Sequence, residues 1–157
     1  MNSEDLLRGA LVGDSAAGGM SATTKLITGL TNPAANTEIS ESVPSGKMWR
    51  LLTATVSLAQ GATQTPLPYL VLTDSADVEI ARFPGASAAL TAGTTALYQW
   101  IAGLTAMSAG AAATTQFAPL PANGILLPMG GKIKTVTTGI GANSDFAAPK
   151  FYVVEYS

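Results

Sequence analysis

Val43-Pro44-Ser45-Gly46-Lys47-Met48-Trp49-Arg50 runs directly into Leu51-Leu52-Thr53-Ala54-Thr55-Val56-Ser57-Leu58-Ala59, a proline-glycine turn followed by the clearest alternating stretch of the chain. Proline fixes one backbone torsion and glycine accepts the left-handed region, so the first part reads as a corner. From Leu52 onward, Leu52, Ala54, Val56 and Leu58 fall on one face and Thr53, Thr55 and Ser57 on the other, which predicts a half-buried antiparallel strand over Lys47–Ala59. By the same period of two, Trp49 and Leu51 belong to the face opposite Leu52. The start of this strand is therefore expected to be covered on both sides, by an N-terminal arm or by a neighbouring subunit.

A second corner of the same type, Leu127-Pro128-Met129-Gly130-Gly131-Lys132-Ile133-Lys134, launches a strand over Lys132–Thr138, in which Ile133 and Val136 break strict alternation. Working outward, Leu67–Thr73 and Val78–Phe83 flank Asp74-Ser75-Ala76-Asp77 and predict a hairpin, with Val78 and Ile80 sharing a face. Between Pro84 and Ala118, Thr94–Ile101 is the convincing strand, and its two faces, Leu97/Gln99/Ile101 and Ala96/Tyr98/Trp100, are both apolar. Residues 106–115 lack bulk and read as a long loop or an interface segment. A short run at Ile125–Leu127 and a β-rich run at Lys150–Tyr156, suited to a central position, complete the set. Some eight short strands separated by close turns predict an all-β fold, an antiparallel jelly-roll-like sandwich over residues 37–157.

Residues 1–36 read as an extended arm, rich in glycine and other small residues. Ser3 suits the cap of a short helical turn beginning at Glu4 and Asp5, and Thr23–Leu30 reads as an extended piece able to pair with a strand. Its apolar clusters Leu6-Leu7, Leu11-Val12 and Leu26-Ile27 are candidate interaction residues, as are Tyr98 and Trp100, because an arm without its own core orders against a partner.

Composition narrows the function classes. The chain has 157 residues, enough for one domain, but charged residues are only 11% of it and mean hydropathy is +0.31; a typical soluble protein carries about 25% charge. The longest uncharged stretch, residues 83–131, is broken by prolines and glycines, so no bilayer span is expected. The acidic start, Glu4-Asp5, is unlike a secretory leader. With 8 Lys+Arg against 10 Asp+Glu scattered singly and a pI near 4.9, nucleic acid is a poor partner. The absence of histidine and cysteine removes the usual general base, thiol catalysis and disulfides. Asp74, Asp77 and Glu79 lack the spacing of a calcium loop and read as a solvated turn. Gly130-Gly131-Lys132 lacks the frame of a phosphate loop. No catalytic residue, metal or cofactor is expected.

The Val43–Leu51 and Leu127–Ile133 motifs, with the terminal Asp145–Tyr156 segment, resemble small β-sandwich structural proteins of tailed bacteriophage virions, over roughly residues 37–157. The long Ala/Thr/Gly stretch after Phe83 departs from that pattern. The resemblance implies a non-enzymatic virion protein, first a capsid decoration protein acting as a homo-oligomer, a trimer favoured, on the major capsid protein or another virion protein, without nucleic acid or membrane. Two other classes remain open at this point. A tail or fibre module binding a receptor or glycan would expose Tyr98 and Trp100, and a polysaccharide hydrolase would bring carboxylates such as Asp74, Asp77 and Asp145 together across a cleft.

Overall fold

Two β-sheets face each other across a core built from aromatic and branched side chains. The computed structural model describes residues 20–86, 89–109, 114–140 and 142–157. In chain order the strands are β1 (Ala22–Ile27), β2 (Ser40–Ser42), β3 (Met48–Ala59), β4 (Leu67–Thr73), β5 (Glu79–Pro84) and β6 (Thr95–Ala102). They continue with β7 (Ser108–Ala109), β8 (Thr115–Leu120), β9 (Ile125–Leu127), β10 (Lys132–Thr138), β11 (Asp145–Phe146) and β12 (Lys150–Tyr156). The larger sheet has the order β1-β12-β3-β6-β8-β7, with β9 and β11 also paired to β3; the smaller has the order β2-β10-β4-β5. The all-β sandwich expected from the turn spacing is what forms. The proposed helical turn at Ser3 and the clusters Leu6-Leu7 and Leu11-Val12 lie outside the described residues.

The long strand β3 organises the larger sheet, but not by strict alternation. Opposite β12, Tyr152 pairs with Thr53 and the next residue, Val153, pairs with Leu51, so Leu52 is an extra residue in β3. On the other edge, β9 ends its pairing at Leu51 and β6 begins at Thr53, which leaves Leu52 without a partner there as well. This bulge reverses the parity of the strand. Trp49 and Leu51 consequently point into the same core as Ala54, Val56 and Leu58, and all five are buried. The expected two-sided cover for Trp49 and Leu51 is therefore corrected: one added residue puts them on the inner face, while Leu52 is only half-buried.

Three further local outcomes have physical causes. A second bulge places Ile80 as the extra residue of β5, between the pairs Leu72–Ala81 and Thr73–Glu79; Val78 and Ile80 are 61% and 48% exposed, so neither joins the core. In β10 the inward residue after Ile133 is Thr135, whose Oγ1 accepts the Ile39 N–H at 2.9 Å, while Val136 faces solvent. Strand β8 is not apparent from the sequence because it contains Ala118 and Pro119. It tolerates the proline because β7 pairs only with Gln116 and Phe117, so the edge beyond them needs no N–H. It runs parallel to β6, the one parallel pair in an otherwise antiparallel set among the described strands, with the connection between them passing through β7.

Strand β1, inside the segment read as an arm, pairs along its whole length with β12, from Ala22–Tyr156 to Ile27–Phe151. It forms one edge of the larger sheet, and β12 lies between β1 and β3.

Candidate interaction surface

The two proline-glycine corners, 84 residues apart in sequence, meet at one end of the sandwich. Val43 N–H donates to Gly131 O at 2.8 Å and Gly130 N–H donates to Val43 O at 3.1 Å. Each corner closes with its own turn bond, Lys47 N–H to Pro44 O and Gly131 N–H to Pro128 O. Gly46 and Gly130 both sit at φ 74°, a region costly for residues with a Cβ, which explains glycine at the same place in both motifs. Met129 locks the pair, its Sδ accepting the Gly46 N–H at 3.0 Å.

Beneath this corner lies a compact polar cluster. The Glu155 side chain is 10% exposed. Its Oε2 accepts the Trp49 indole N–H at 3.0 Å, and its Oε1 meets Lys25 Nζ at 3.0 Å and Lys47 Nζ at 3.4 Å. The Trp49 hydrogen bond, followed by that from Lys25, holds the Glu155 carboxyl below its ordinary value against the opposing effect of burial. One carboxylate thus joins the start of β3, the edge strand β1 and the first turn to β12.

A depressed folded-state pKa contributes stability above the unfolded value, near 4.5, which is lost as pH falls through the folded value. Glu155→Gln is therefore expected to cost about 1–2 kcal/mol at pH 7, the scale of charge-assisted hydrogen bonds. The variant should also show a shallower decline in stability below pH 4.5 than the parent. Urea melts of both proteins from pH 2 to pH 7 check this; parallel curves would show that Glu155 is not coupled to folding.

On the outer face of the larger sheet several large apolar side chains are exposed. The registers of β1, β12, β3 and β9 bring Leu26 beside Tyr152, Tyr156 beside Met48, and Leu126 beside Arg50. Leu26 is 60% exposed, Leu126 49% and Tyr152 44%. Where this face reaches the corner it forms a shallow groove of about 490 Å3, lined by Met20, Met48, Met129 and Tyr156 among others. A continuing lobe of about 320 Å3 adds Arg50 and Leu126. Three of the five methionines of the chain line the groove, and their unbranched, polarizable side chains suit an adaptable binding surface. The Arg50 guanidinium lies 5.6 Å from the Tyr156 ring centroid and has no carboxylate partner among the described residues.

Of the candidate interaction residues read from the sequence, Leu26 lies on this outer face, and Ile27 is half-buried against the core. Tyr98 and Trp100 lie in the core, 1% and 0% exposed, with ring centroids 6.3 Å apart. Burial pushes the Tyr98 phenol up to about 12. The Trp100 indole N–H donates to Phe83 O at 3.2 Å and Pro84 O at 3.3 Å, tying β6 to the end of β5 in the opposite sheet. Both aromatics fill space between the sheets and offer no stacking platform, which corrects the expectation that they meet a partner. The groove residues Met20, Met48, Leu126, Met129 and Tyr156 were not visible as a set, because they come from four separate segments. The alternation of Tyr152, Val154 and Tyr156 against Phe151, Val153 and Glu155 is the signal that two faces of β12 were in use.

Asp74 and Asp77 are held in structural roles. Asp74 Oδ1 accepts the N–H groups of Ala76 and Val78, and Asp77 is paired with Lys132 and Lys134 of β10. Hydrogen bonding from Lys134 is the largest influence holding the Asp77 carboxyl below its usual range. Asp145 lies beside Ala59 in the other sheet. Among the described residues no group of three or more metal-ligating side chains is assembled, and no helix is long and apolar enough to cross a membrane.

No protein-family model matches this chain, and no curated protein is significantly similar to it in sequence. Among solved structures, it is similar to a chain of the infectious bursal disease virus Gx strain, with 13% identity, 87% of this chain and 37% of that one covered, and a TM-score of 0.43. It is also similar to the VP2 subviral particle of infectious bursal disease virus, with 11% identity, 87% and 37% coverage and a TM-score of 0.42. The chain spans little more than a third of the length of these structures.

Proposed function

We propose that this protein is a non-enzymatic structural component of a virion that assembles with its own copies through the outer face of the larger sheet. Decoration of a capsid is its particular role, with a trimer as the assembled form and the major capsid protein, or another virion protein, as its support. The observation that carries the reading is the set of exposed apolar side chains on the outer face, with Leu26, Leu126 and Tyr152 between 44% and 60% exposed, on a chain with only 11% charged residues. Contiguous apolar surface rimmed by polar residues marks protein interaction sites, and interface cores are depleted of charge. The corner motifs that resemble those of phage β-sandwich proteins support the virion setting. Asp74 is engaged in a turn and Asp77 in ion pairs, and both belong to the smaller sheet's hairpin while Asp145 belongs to the larger sheet, which does not favour a hydrolytic carboxylate pair among these three.

Leu126→Lys combined with Tyr152→Lys tests the reading. Both side chains are exposed, so folding stability is expected to change by less than about 1 kcal/mol. The mass in solution is expected to fall to that of one chain, and sedimentation with empty capsids to be lost. Retention of the parent mass and capsid binding by the double variant would reject this face as the assembly surface.

A further inference from the structure

We infer that the groove at the corner of the sandwich receives residues 1–19 of a second copy of this chain, with Leu6-Leu7 or Leu11-Val12 in its methionine-lined floor. The inference rests on the assembly reading above and names its contact. Three observations lead to it. First, the chain enters the described fold at the groove: Met20 lines both lobes, and the next residue, Ser21, exchanges two 3.0 Å backbone hydrogen bonds with Ser157. This pairing fixes the start of β1 beside the end of β12.

Second, Gly13–Gly19 separates Val12 from Met20, a reach of up to about 25 Å when extended. Third, charge and apolarity match. Among residues 1–19 the acids are Glu4, Asp5 and Asp14 and the one base is Arg8, so the formal charge of −2 resides there and residues 20–157 are neutral in sum. The groove presents Arg50, which has no carboxylate partner among the described residues, beside an apolar floor. The paired apolar residues of the segment supply what that floor lacks, and its acids supply the counter-charge.

The absence of native cysteine makes the test clean. Leu11→Cys protein and Leu126→Cys protein are prepared separately, mixed, and treated with a short bis-maleimide; Leu11→Cys mixed with Val78→Cys, exposed on the opposite sheet, is the control. The inference expects the Leu11–Leu126 pairing to yield linked two-chain product about tenfold faster than the control, as a docked segment raises the local concentration. It also expects removal of residues 2–19 to abolish this oligomerisation while leaving the melting transition in place. The cut stops there because β1 belongs to the sheet. Linkage no faster than the control overturns the inference. Light scattering of the parent separates the two levels: an oligomer without the linkage rejects the arm contact alone, whereas a monomer rejects both the contact and the assembly reading.

Discussion

Deletion of Leu52 is expected to leave a folded protein with Trp49 and Leu51 still inward, at about the 1 kcal/mol cost of Leu52→Ala, because Leu51 then precedes Thr53 directly in an unbroken alternating ladder. Leu52 is half-buried, so its side chain contributes modestly. As the extra residue of the β3 bulge it stands outside the alternation, which is what leaves Trp49 and Leu51 facing inward. A ladder that instead kept Leu52 paired would send both to the outer face and turn Met48 and Arg50 inward. Removing a buried tryptophan and leucine from a core costs about 3–5 and 2–5 kcal/mol respectively, and an inward Arg50 adds an uncompensated charge. Together these match or exceed the total stability of an ordinary domain, about 5–15 kcal/mol.

The bulge is also fixed from the β9 side. A Cβ on Gly124 would stand 2.3 Å from Leu51 O, and Gly124 has φ 66°, so the approach to β3 at this point requires glycine. Circular dichroism and urea melts of the deletion and the Leu52→Ala protein decide the matter. Comparable stability of the two bears this out, whereas unfolding of the deletion protein alone would show that the backbone of the bulge is itself required.

Trp100→Ala is expected to cost about 3–5 kcal/mol, and Trp100→Phe distinctly less. Trp100 is fully buried, packs beside Tyr98 and donates across the sheets to Phe83 O and Pro84 O. Alanine opens a cavity and removes the donor from two carbonyls, while phenylalanine keeps most of the volume and loses only the donor. Denaturant midpoints of the three proteins at unchanged slope check the order. A drop under about 1 kcal/mol for alanine would mean that the sheets collapse around the vacancy or that this aromatic is not between them.

The strands that the sequence reveals are those with a clean period and a bounding turn: β3, β4, β10, β12 and the β4–β5 hairpin all stand close to their expected places. What escapes is parity. A bulge adds one residue without changing composition, so Trp49 and Ile80 change face with no trace in the local sequence. The inward face of β6 is illegible for a different reason, because Leu97, Gln99 and Ile101 are nearly as apolar as Ala96, Tyr98 and Trp100. Only the packing of the opposite sheet selects the aromatic face.

The groove is less legible still. Its parts, Met20, Met48, Leu126, Met129 and Tyr156, are unremarkable one by one and become a surface only through strand register. The paired corners were visible as motifs, but their contact with each other is a property of the fold.

The central claim is that this sandwich works as one of several copies. The direct measurement is the molar mass of the purified protein by light scattering after size exclusion, taken over a dilution series. The account predicts a mass of three chains of 15.9 kDa that persists on dilution. A mass of a single chain at every concentration would contradict it.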